Sequence, residues 1–307
     1  MNIEKVAIIG LGSLGVLYAH HFSKRMDKEN LKIIADKKRI ERYRREGIYC
    51  NGEYCDFNYV DFEEKDEPVD LAIFSVKFGG LDDAISMMGN QIGEHTIILS
   101  TLNGITSEKI IGKTYGDEKI VHCVAQGMDA AKLDNELIYK NMGILCFGDL
   151  DSKTPSNKVK VVADFFERMQ LPYEIDNHMD KRMWGKFMLN VGVNQTVAVY
   201  ETNYHGIQIE GEARQTMIAA MKEVIELSKK TGINIEEKDI DYWLAILDTL
   251  NPEGIPSMRQ DMLVKRYSEV ELFSGTVLEL GKKYSLETPV NEMLYKKIKA
   301  MEAEFYQ

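Results

Sequence analysis

A short glycine-rich segment follows the first apolar run of the chain, Val6–Ile9. Its residues, in order, are Gly10, Leu11, Gly12, Ser13, Leu14 and Gly15. In a G-x-G-x-x-G turn between a strand and a helix, the first glycine allows the tight bend, the second lets a pyrophosphate approach the backbone, and the third lets the helix pack closely. The N–H groups at the helix end then attract the anion. The segment predicts a dinucleotide site, and the alternative is a plain strand-to-helix turn.

The residues after the second apolar run bear on the choice of dinucleotide. Asp36 lies about 20 residues after the glycines, where a carboxylate binds the ribose 2′-hydroxyl of NAD. Lys37, Lys38 and Arg39 follow at once, and their charge would suit the 2′-phosphate of NADP. These three residues could equally begin a solvated helix. The sequence leaves NAD and NADP both open.

One cation and two amides recur four residues apart in an apolar stretch of the second half: Lys186, Asn190 and Asn194. On a helix this spacing drifts by only about 40° per step, so the three side chains share one face. Polar groups on a buried face need partners, which a polar ligand can supply. The alternative is a hydrogen-bond network between helices, with the ammonium group of Lys186 reaching water.

Two further polar residues stand at the starts of later helical patterns. Ser257 follows Pro256 and precedes Gln260 by three residues, which is a capping-box pattern. Glu269 begins the next amphipathic stretch, and by itself it would be an ordinary first-turn acid.

Asn103 and Lys77 each follow an apolar run in the first half. Ligands of open α/β sheets bind at the carboxyl ends of the strands, so both residues are candidates for a site. Asn103 with Gly104 is also a turn signal in any protein, and Lys77 could be a solvated loop lysine.

The elements that would position these residues change character along the chain. The apolar runs of the first half are residues 6–9, 31–35, 71–76, 96–100, 120–124 and 143–147. Most are continuously apolar, as in parallel strands covered on both faces, and helical patterns lie between several of them. Only helical patterns follow, at residues 181–200, 210–230, 238–250, 257–266, 269–284 and 289–305. We predict an α/β fold with a Rossmann-type doubly wound parallel sheet over residues 1–176, then an all-α domain over residues 177–307.

Composition excludes several classes of function. The 307 residues carry a formal charge of −11, which disfavours nucleic acid as a partner. The chain has neither a secretory signal nor an apolar stretch of about 18 residues, so we expect a cytoplasmic protein without a membrane partner. The four cysteines and six histidines lack the spacing of metal ligands, and we expect reduced thiols and no metal. The amphipathic last helices are compatible with a homodimer.

Three motifs together resemble one family. They are GLGSLG at residues 10–15, W-G-K-x3-N-x3-N at residues 184–194, and S-M-R-Q-D-x7-E at residues 257–269. The set is similar to the ketopantoate reductases (2-dehydropantoate 2-reductases) over essentially the whole chain. This resemblance implies a Rossmann domain followed by a helical domain, and NADPH-dependent reduction of 2-dehydropantoate to (R)-pantoate on the route to pantothenate and coenzyme A.

The resemblance also implies roles for individual residues. Lys186 would be the catalytic general acid, and Glu269 would interact with it and with the substrate hydroxyl. Substrate contacts would come from Asn190, Asn194 and Ser257. Asn103 would lie near both nicotinamide and substrate, and Lys77 at the edge of the cofactor.

The chain departs from the family at one position, because members commonly carry an arginine where this sequence has Asp36. The resemblance implies NADP(H) as the cofactor, whereas Asp36 is compatible with NAD(H). Two other functions remain open: reduction of another branched 2-keto acid, and dinucleotide sensing without catalysis.

Overall fold

The computed structural model describes residues 2–305, which form two compact units. The first unit contains the described residues through Leu102 together with Thr106–Met179. The second contains Asn103–Ile105 and the described residues from Asp180 onward.

Strands and helices alternate in the first unit. The strands are β1 (Val6–Ile9), β2 (Leu31–Ala35), β3 (Tyr49–Cys50), β4 (Glu53–Tyr54), β5 (Asn58–Asp61), β6 (Leu71–Phe74), β7 (Ile97–Ser100), β8 (His122–Gln126), β9 (Ala131–Leu133), β10 (Glu136–Ile138), β11 (Ile144–Gly148) and β12 (Tyr173–Ile175). The helices are α1 (Ser13–Ser23), α2 (Lys37–Glu46), α3 (Leu81–Met88), α4 (Ser107–Tyr115) and α5 (Asn157–Arg168). Single 3₁₀ turns occupy Lys28–Asn30, Phe78–Gly80, Gly89–Gln91 and Asp117–Lys119.

Five parallel strands form the central sheet in the order β5-β2-β1-β6-β7. Every side chain of β1, β2, β6 and β7 is buried, because both faces of the sheet are covered. The strand order proceeds outward from β1 in both directions, so the topological switch point lies between β1 and β6. The predicted doubly wound parallel sheet is confirmed.

A smaller sheet corrects one part of the sequence interpretation. Two of the runs expected to be parallel strands form β8 and β11, and these pair antiparallel. The chain returns between them through the antiparallel pair of β9 and β10, and no helix of the described chain makes the crossover that a parallel pair needs. Strand β12 then adds to β11 in parallel.

An aromatic cluster fixes the position of α1 in the first unit. Phe22 of α1 lies 5.3 Å from Phe165 of α5, measured between ring centroids, and Phe147 of β11 lies 5.2 Å from Phe166. All four rings are fully buried. Large buried rings dominate the packing energy of a core, and here they hold the helix that the glycine-rich segment opens.

The second unit is helical throughout its described residues. Its elements are α6 (Met179–Val199), whose first residue belongs to the first unit, α7 (His205–Gln208), α8 (Glu212–Thr231), α9 (Glu237–Leu247), α10 (Ser257–Leu263), a π-helical turn (Glu271–Gly275), α11 (Thr276–Tyr284) and α12 (Pro289–Ala303). The predicted all-α region is confirmed. The helix predicted over residues 269–284 begins at Glu271, and its first turn is π-helical before α11 continues to Tyr284.

The cysteines, possible metal ligands and helix lengths of residues 2–305 bear on function. All four cysteines are free thiols, and all are buried. No group of three or more His, Cys, Asp or Glu side chains is placed there to hold a metal ion. None of the helices in this range has both the length and the apolar character to cross a membrane.

Candidate functional site

The glycine turn, Gly10–Gly15, joins β1 to α1 and contains six of the residues predicted to bind the dinucleotide. Gly10 has a φ of +94°, and a Cβ there would lie 2.6 Å from the carbonyl oxygen of Ser75. A Cβ on Gly15 would lie 1.8 Å from the carbonyl oxygen of Gly10. The first and third glycines are therefore required by sterics, because any side chain would push β1, β6 and α1 apart.

The second glycine leaves the end of α1 open. Gly12 is the N-cap residue and is exposed, and no side chain caps the helix. A Cβ at Gly12 would meet only the Ser75 carbonyl oxygen, at 3.7 Å. The first turn of α1 has no acidic side chain to repel an anion. These features fit a pyrophosphate at the helix N-terminus, where backbone N–H groups and the helix dipole favour negative charge.

Asp36 caps the next helix, α2. Its Oδ1 accepts a hydrogen bond from the backbone N–H of Arg39 at 2.7 Å, and its Oδ2 accepts one from Arg39 Nη1 at 3.0 Å. Lys37 Nζ lies 3.0 Å from Glu63 Oε2, and this hydrogen bond raises the pKa of Lys37. Two of the three cations considered for a 2′-phosphate are thus paired with carboxylates of the protein.

Sequence reasoning missed the acidic residues beside Asp36. Asp61 pairs with Ala35 in the parallel register of β5 and β2, so the end of β5 lies next to Asp36. Glu63 and Glu64 follow in a turn in which the backbone N–H of Glu63 donates to Asp61 Oδ1. The acidic run of the sequence at residues 61–64 was visible, but only the strand register brings it to this edge of the sheet.

Lys77 is an exposed residue just beyond β6 and immediately before the 3₁₀ turn Phe78–Gly80. Its backbone carbonyl accepts a hydrogen bond from the N–H of Gly80 at 2.9 Å. The lysine therefore stands on a structured turn at the carboxyl edge of the same sheet as the glycine turn.

Three of the predicted substrate residues share one hydrogen-bonded set in the second unit. Asn194 of α6 is 6% exposed, and its Oδ1 accepts from the Ser257 hydroxyl and from the Met258 N–H, each at 3.2 Å. Its Nδ2 donates to Asn190 Oδ1 at 3.4 Å. Asn194 therefore links the amide of Asn190 to the exposed hydroxyl of Ser257.

Ser257 does not cap α10, so the predicted capping box is wrong. The helix begins at Ser257 with Pro256 as its N-cap residue, and no side chain caps it. The Ser257 hydroxyl donates to Asn194 instead, and the Gln260 side chain donates to the carbonyl of Ile255. An acceptor from another helix has replaced the local partner.

Lys186 lies on α6 one turn before Asn190 and is half-buried. The helix packs closely here, since a Cβ on Gly185 would lie 2.8 Å from Trp243 Nε1 of α9. The structure therefore places Lys186, Asn190 and Asn194 on successive turns of one helix, as their spacing predicted.

Asn103 and Glu269 meet in the second unit. The Asn103 side-chain N–H donates to Glu269 Oε2 at 3.2 Å. The next residue, Gly104, has a φ of +90°, and a Cβ there would lie 2.8 Å from Leu272 Cδ1 in the π-helical turn. Glu269 precedes that turn and is half-buried. Short π-helical turns within α-helices are frequent at functional sites.

A buried polar network behind the site was not predicted. Gln195, Ser274 and Asn291 are each 0% exposed. Gln195 Oε1 accepts from the Ser274 N–H at 3.1 Å, and Asn291 Oδ1 accepts from the Ser274 hydroxyl at 3.1 Å. Asn291 Nδ2 donates to Glu223 Oε2 at 2.7 Å. The network ties α6 to the π-helical turn, and Gln195 was recognisable only as one more amide in the apolar stretch.

Two family models match the chain. The model of ketopantoate reductase PanE/ApbA matches residues 6–152, and the model of the ketopantoate reductase PanE/ApbA C terminal matches residues 178–302. A 2-dehydropantoate 2-reductase of Aquifex aeolicus is 26% identical over 305 residues, which cover 98% of this chain and 97% of that protein.

Two solved structures share the fold over nearly the full length. D-mandelate dehydrogenase, in a ternary structure with NADH and anilino(oxo)acetate, is 21% identical and has a TM-score of 0.88, with 99% of this chain and 100% of that chain covered. A dimeric ketopantoate reductase from Staphylococcus aureus is 18% identical and has a TM-score of 0.79, with 98% and 99% covered. The two family models span most of the sequence and agree with the resemblance of its three motifs, so the chain belongs to the ketopantoate reductase family.

Proposed function

We propose that the protein reduces 2-dehydropantoate to (R)-pantoate with a nicotinamide dinucleotide as hydride donor. Its family is one of oxidoreductases, and the relative from Aquifex aeolicus is a 2-dehydropantoate 2-reductase. The observation that carries the proposal is the hydrogen-bonded set of Asn190, Asn194 and Ser257 on and beside the helix of Lys186. A dinucleotide sensor would need the glycine turn alone.

In this proposal, Lys186 contacts the carbonyl oxygen of the substrate and acts as its proton donor. When bound, the nicotinamide supplies the hydride that reduces the keto carbon. The carbonyl oxygen then gains negative charge, which the Lys186 ammonium group stabilises before it donates a proton to form the hydroxyl. Glu269 accepts a hydrogen bond from that hydroxyl and orients the ammonium group.

The amides and the serine hold the acid end of the substrate. The Ser257 hydroxyl is exposed and can turn from Asn194 towards a carboxylate, and the Asn190 amide can donate to the same group. The Asn103 amide donates to Glu269, and this hydrogen bond holds the Glu269 carboxylate in line with the substrate hydroxyl. Fixing both ends of a small substrate provides the orientation that hydride transfer requires.

We further propose NAD(H) as the preferred dinucleotide. Asp36 has a carboxylate that retains acceptor capacity for a ribose 2′-hydroxyl beside its two bonds to Arg39. A 2′-phosphate would place a charge of about −2 next to the carboxylates of Asp36, Asp61 and Glu63. The solved D-mandelate dehydrogenase contains NADH, which supports the same choice.

The cofactor experiment compares kcat/KM for NADH and NADPH. We expect the natural enzyme to prefer NADH by about tenfold or more, and Asp36→Ala to narrow the ratio, since removal of one like charge near a phosphate is worth roughly 1 kcal/mol. Glu46→Ala, an exposed acid at the far end of α2, should leave the ratio unchanged. A natural enzyme that prefers NADPH would overturn the assignment of Asp36.

The second candidate function is reduction of another 2-keto acid, and the D-mandelate dehydrogenase structure favours it. An assay of reduced-nicotinamide consumption separates the two candidate functions. It compares kcat/KM for 2-dehydropantoate, 2-ketoisovalerate and benzoylformate. The proposal predicts the highest kcat/KM for 2-dehydropantoate. A higher value for benzoylformate would establish the alternative, and no turnover of any keto acid would favour a sensor.

We also propose a homodimer, because the Staphylococcus aureus ketopantoate reductase of the same fold is dimeric. Light scattering should give twice the 35.1 kDa of one chain. A mass of one chain at the protein concentration of the kinetic assay would contradict this.

A further inference from the structure

The carboxylate of Glu302, near the end of α12, is buried and directed at the residue before Glu269. Glu302 is 3% exposed. Its Oε1 accepts a hydrogen bond from the Ser268 N–H at 2.7 Å and another from the Ser268 hydroxyl at 2.6 Å. A buried carboxylate is costly unless donors satisfy it, so these two bonds fix where the Ser268 backbone lies relative to α12.

Ser268 in turn holds the backbone on the other side of Glu269. Its hydroxyl oxygen accepts a hydrogen bond from the Val270 N–H at 3.3 Å. The Glu269 carbonyl accepts from the N–H groups of Leu272 and Phe273, at 3.0 Å and 3.2 Å. The backbone of Glu269 is therefore tied before, at and after the residue, and the first tie comes from Glu302.

Helix α12 also contacts Glu271, the first residue of the π-helical turn. Glu271 Oε1 accepts from the Tyr295 hydroxyl at 2.9 Å and lies 3.3 Å from Lys299 Nζ. Lys299 Nζ also lies 3.3 Å from Glu302 Oε2. Burial lowers the pKa of Lys299, but the hydrogen bonds to Glu271 and Glu302 outweigh it and raise the pKa overall. The lysine therefore stays charged and forms ion pairs with both Glu271 and Glu302.

We propose that Glu302 is a positioning residue for the reaction: through Ser268 it sets the backbone of Glu269, and thereby aims the Glu269 carboxylate at the substrate hydroxyl and Lys186. The inference rests on the proposed role of Glu269. Glu302 acts through geometry alone, because its contacts are with Ser268 and Lys299 and not with substrate.

A double-mutant cycle tests this role, because coupling separates action through Glu269 from a general effect on folding. In single turnover, we expect Glu302→Ala to lower the rate of reduction about tenfold in the natural background, and by less than about twofold in a Glu269→Ala background. Glu302→Gln should recover most of the rate, since its amide oxygen still accepts from Ser268. Glu292→Ala, which removes an exposed ion pair with Lys296 on the same helix, should leave the rate unchanged.

The rates of these variants separate failure of the inference from failure of the proposed function. If Glu269→Ala is impaired and Glu302→Ala lowers the rate equally in both backgrounds, Glu302 is merely structural and the inference fails while the proposed function stands. If Glu269→Ala has the natural rate, the proposed role of Glu269 fails, and the inference fails with it. If Glu302→Ala does not fold, Ser268→Ala is run through the same cycle, and the same non-additivity is required of it.

Discussion

Truncation of Asn194 to alanine should weaken both the second unit and the binding of substrate. Asn194 is 6% exposed, and its side chain makes three hydrogen bonds, two accepted by Oδ1 and one donated by Nδ2. The exposed Ser257 hydroxyl can turn to water when Oδ1 is lost. The Met258 N–H cannot, because Met258 is 1% exposed.

The stability cost follows from that one stranded donor. A buried N–H without an acceptor costs about 1–3 kcal/mol, and each of the other lost bonds contributes roughly 0.5–1 kcal/mol net. We expect Asn194→Ala to lower the free energy of unfolding of the second unit by about 2–5 kcal/mol. Because Ser257 and Asn190 lose their common partner, KM for the keto acid should rise by about tenfold, which corresponds to roughly 1.4 kcal/mol.

Urea unfolding followed by tryptophan fluorescence measures the effect where it occurs, because the two tryptophans of the chain, Trp184 and Trp243, both lie in the second unit. The matched control is Thr196→Val on the same helix. Thr196 is 0% exposed, and its hydroxyl has no hydrogen-bond partner within the described chain. Its removal should leave stability unchanged or raise it. The reasoning is refuted if Asn194→Ala unfolds like the natural protein, or if Thr196→Val costs as much.

Two further predictions concern the first unit. Gly15→Ala should abolish measurable dinucleotide binding in calorimetry, because its Cβ would lie 1.8 Å from the Gly10 carbonyl oxygen. The control Gly89→Ala, with nothing within 4 Å of its Cβ, should bind the dinucleotide normally. Equal affinities of the two variants would contradict the fit of the turn to pyrophosphate. Burial raises the pKa of Glu108 from 4.5 to about 7, although its own backbone N–H and the Ser107 hydroxyl lower it. Because the folded-state pKa is the higher one, the stability contributed by the neutral carboxyl is complete below pH 4.5 and is lost as the pH rises through about 7. Between these pH values the free energy of unfolding of the natural protein should fall by on the order of 3 kcal/mol relative to that of Glu108→Gln, as measured by urea unfolding. Parallel pH profiles of the two proteins would instead show that Glu108 is ionised in the folded state.

Continuous burial made the central strands predictable. β1 and β2 have the predicted bounds, because strands covered on both faces are apolar at every position and therefore stand out in the sequence. The start of α12 at Pro289 was also predictable, since proline lacks the N–H that a first helical turn does not use. Local chemistry decides such features.

Features decided by distant partners were missed. β8 and β11 have the apolar character of parallel strands, but their direction depends on the path of the chain between them. In the π-helical turn, the Ser274 N–H donates to Gln195 of α6, a partner distant in sequence that local patterns do not indicate. For the site, spacing correctly grouped Lys186, Asn190 and Asn194, whereas the link from Asn194 to Ser257 required the fold.

The central claim, that Lys186 protonates the keto oxygen as the nicotinamide reduces 2-dehydropantoate, is tested most directly by single-turnover absorbance of the reduced nicotinamide in Lys186→Ala. The account predicts a folded variant that binds the dinucleotide normally and reduces 2-dehydropantoate about 10²-fold more slowly or worse. Lys181 lies on the same helix as Lys186 and forms an ion pair with Asp239 of α9, so Lys181→Ala is the matched control and should keep the natural rate. A Lys186→Ala enzyme with the natural rate would contradict the account.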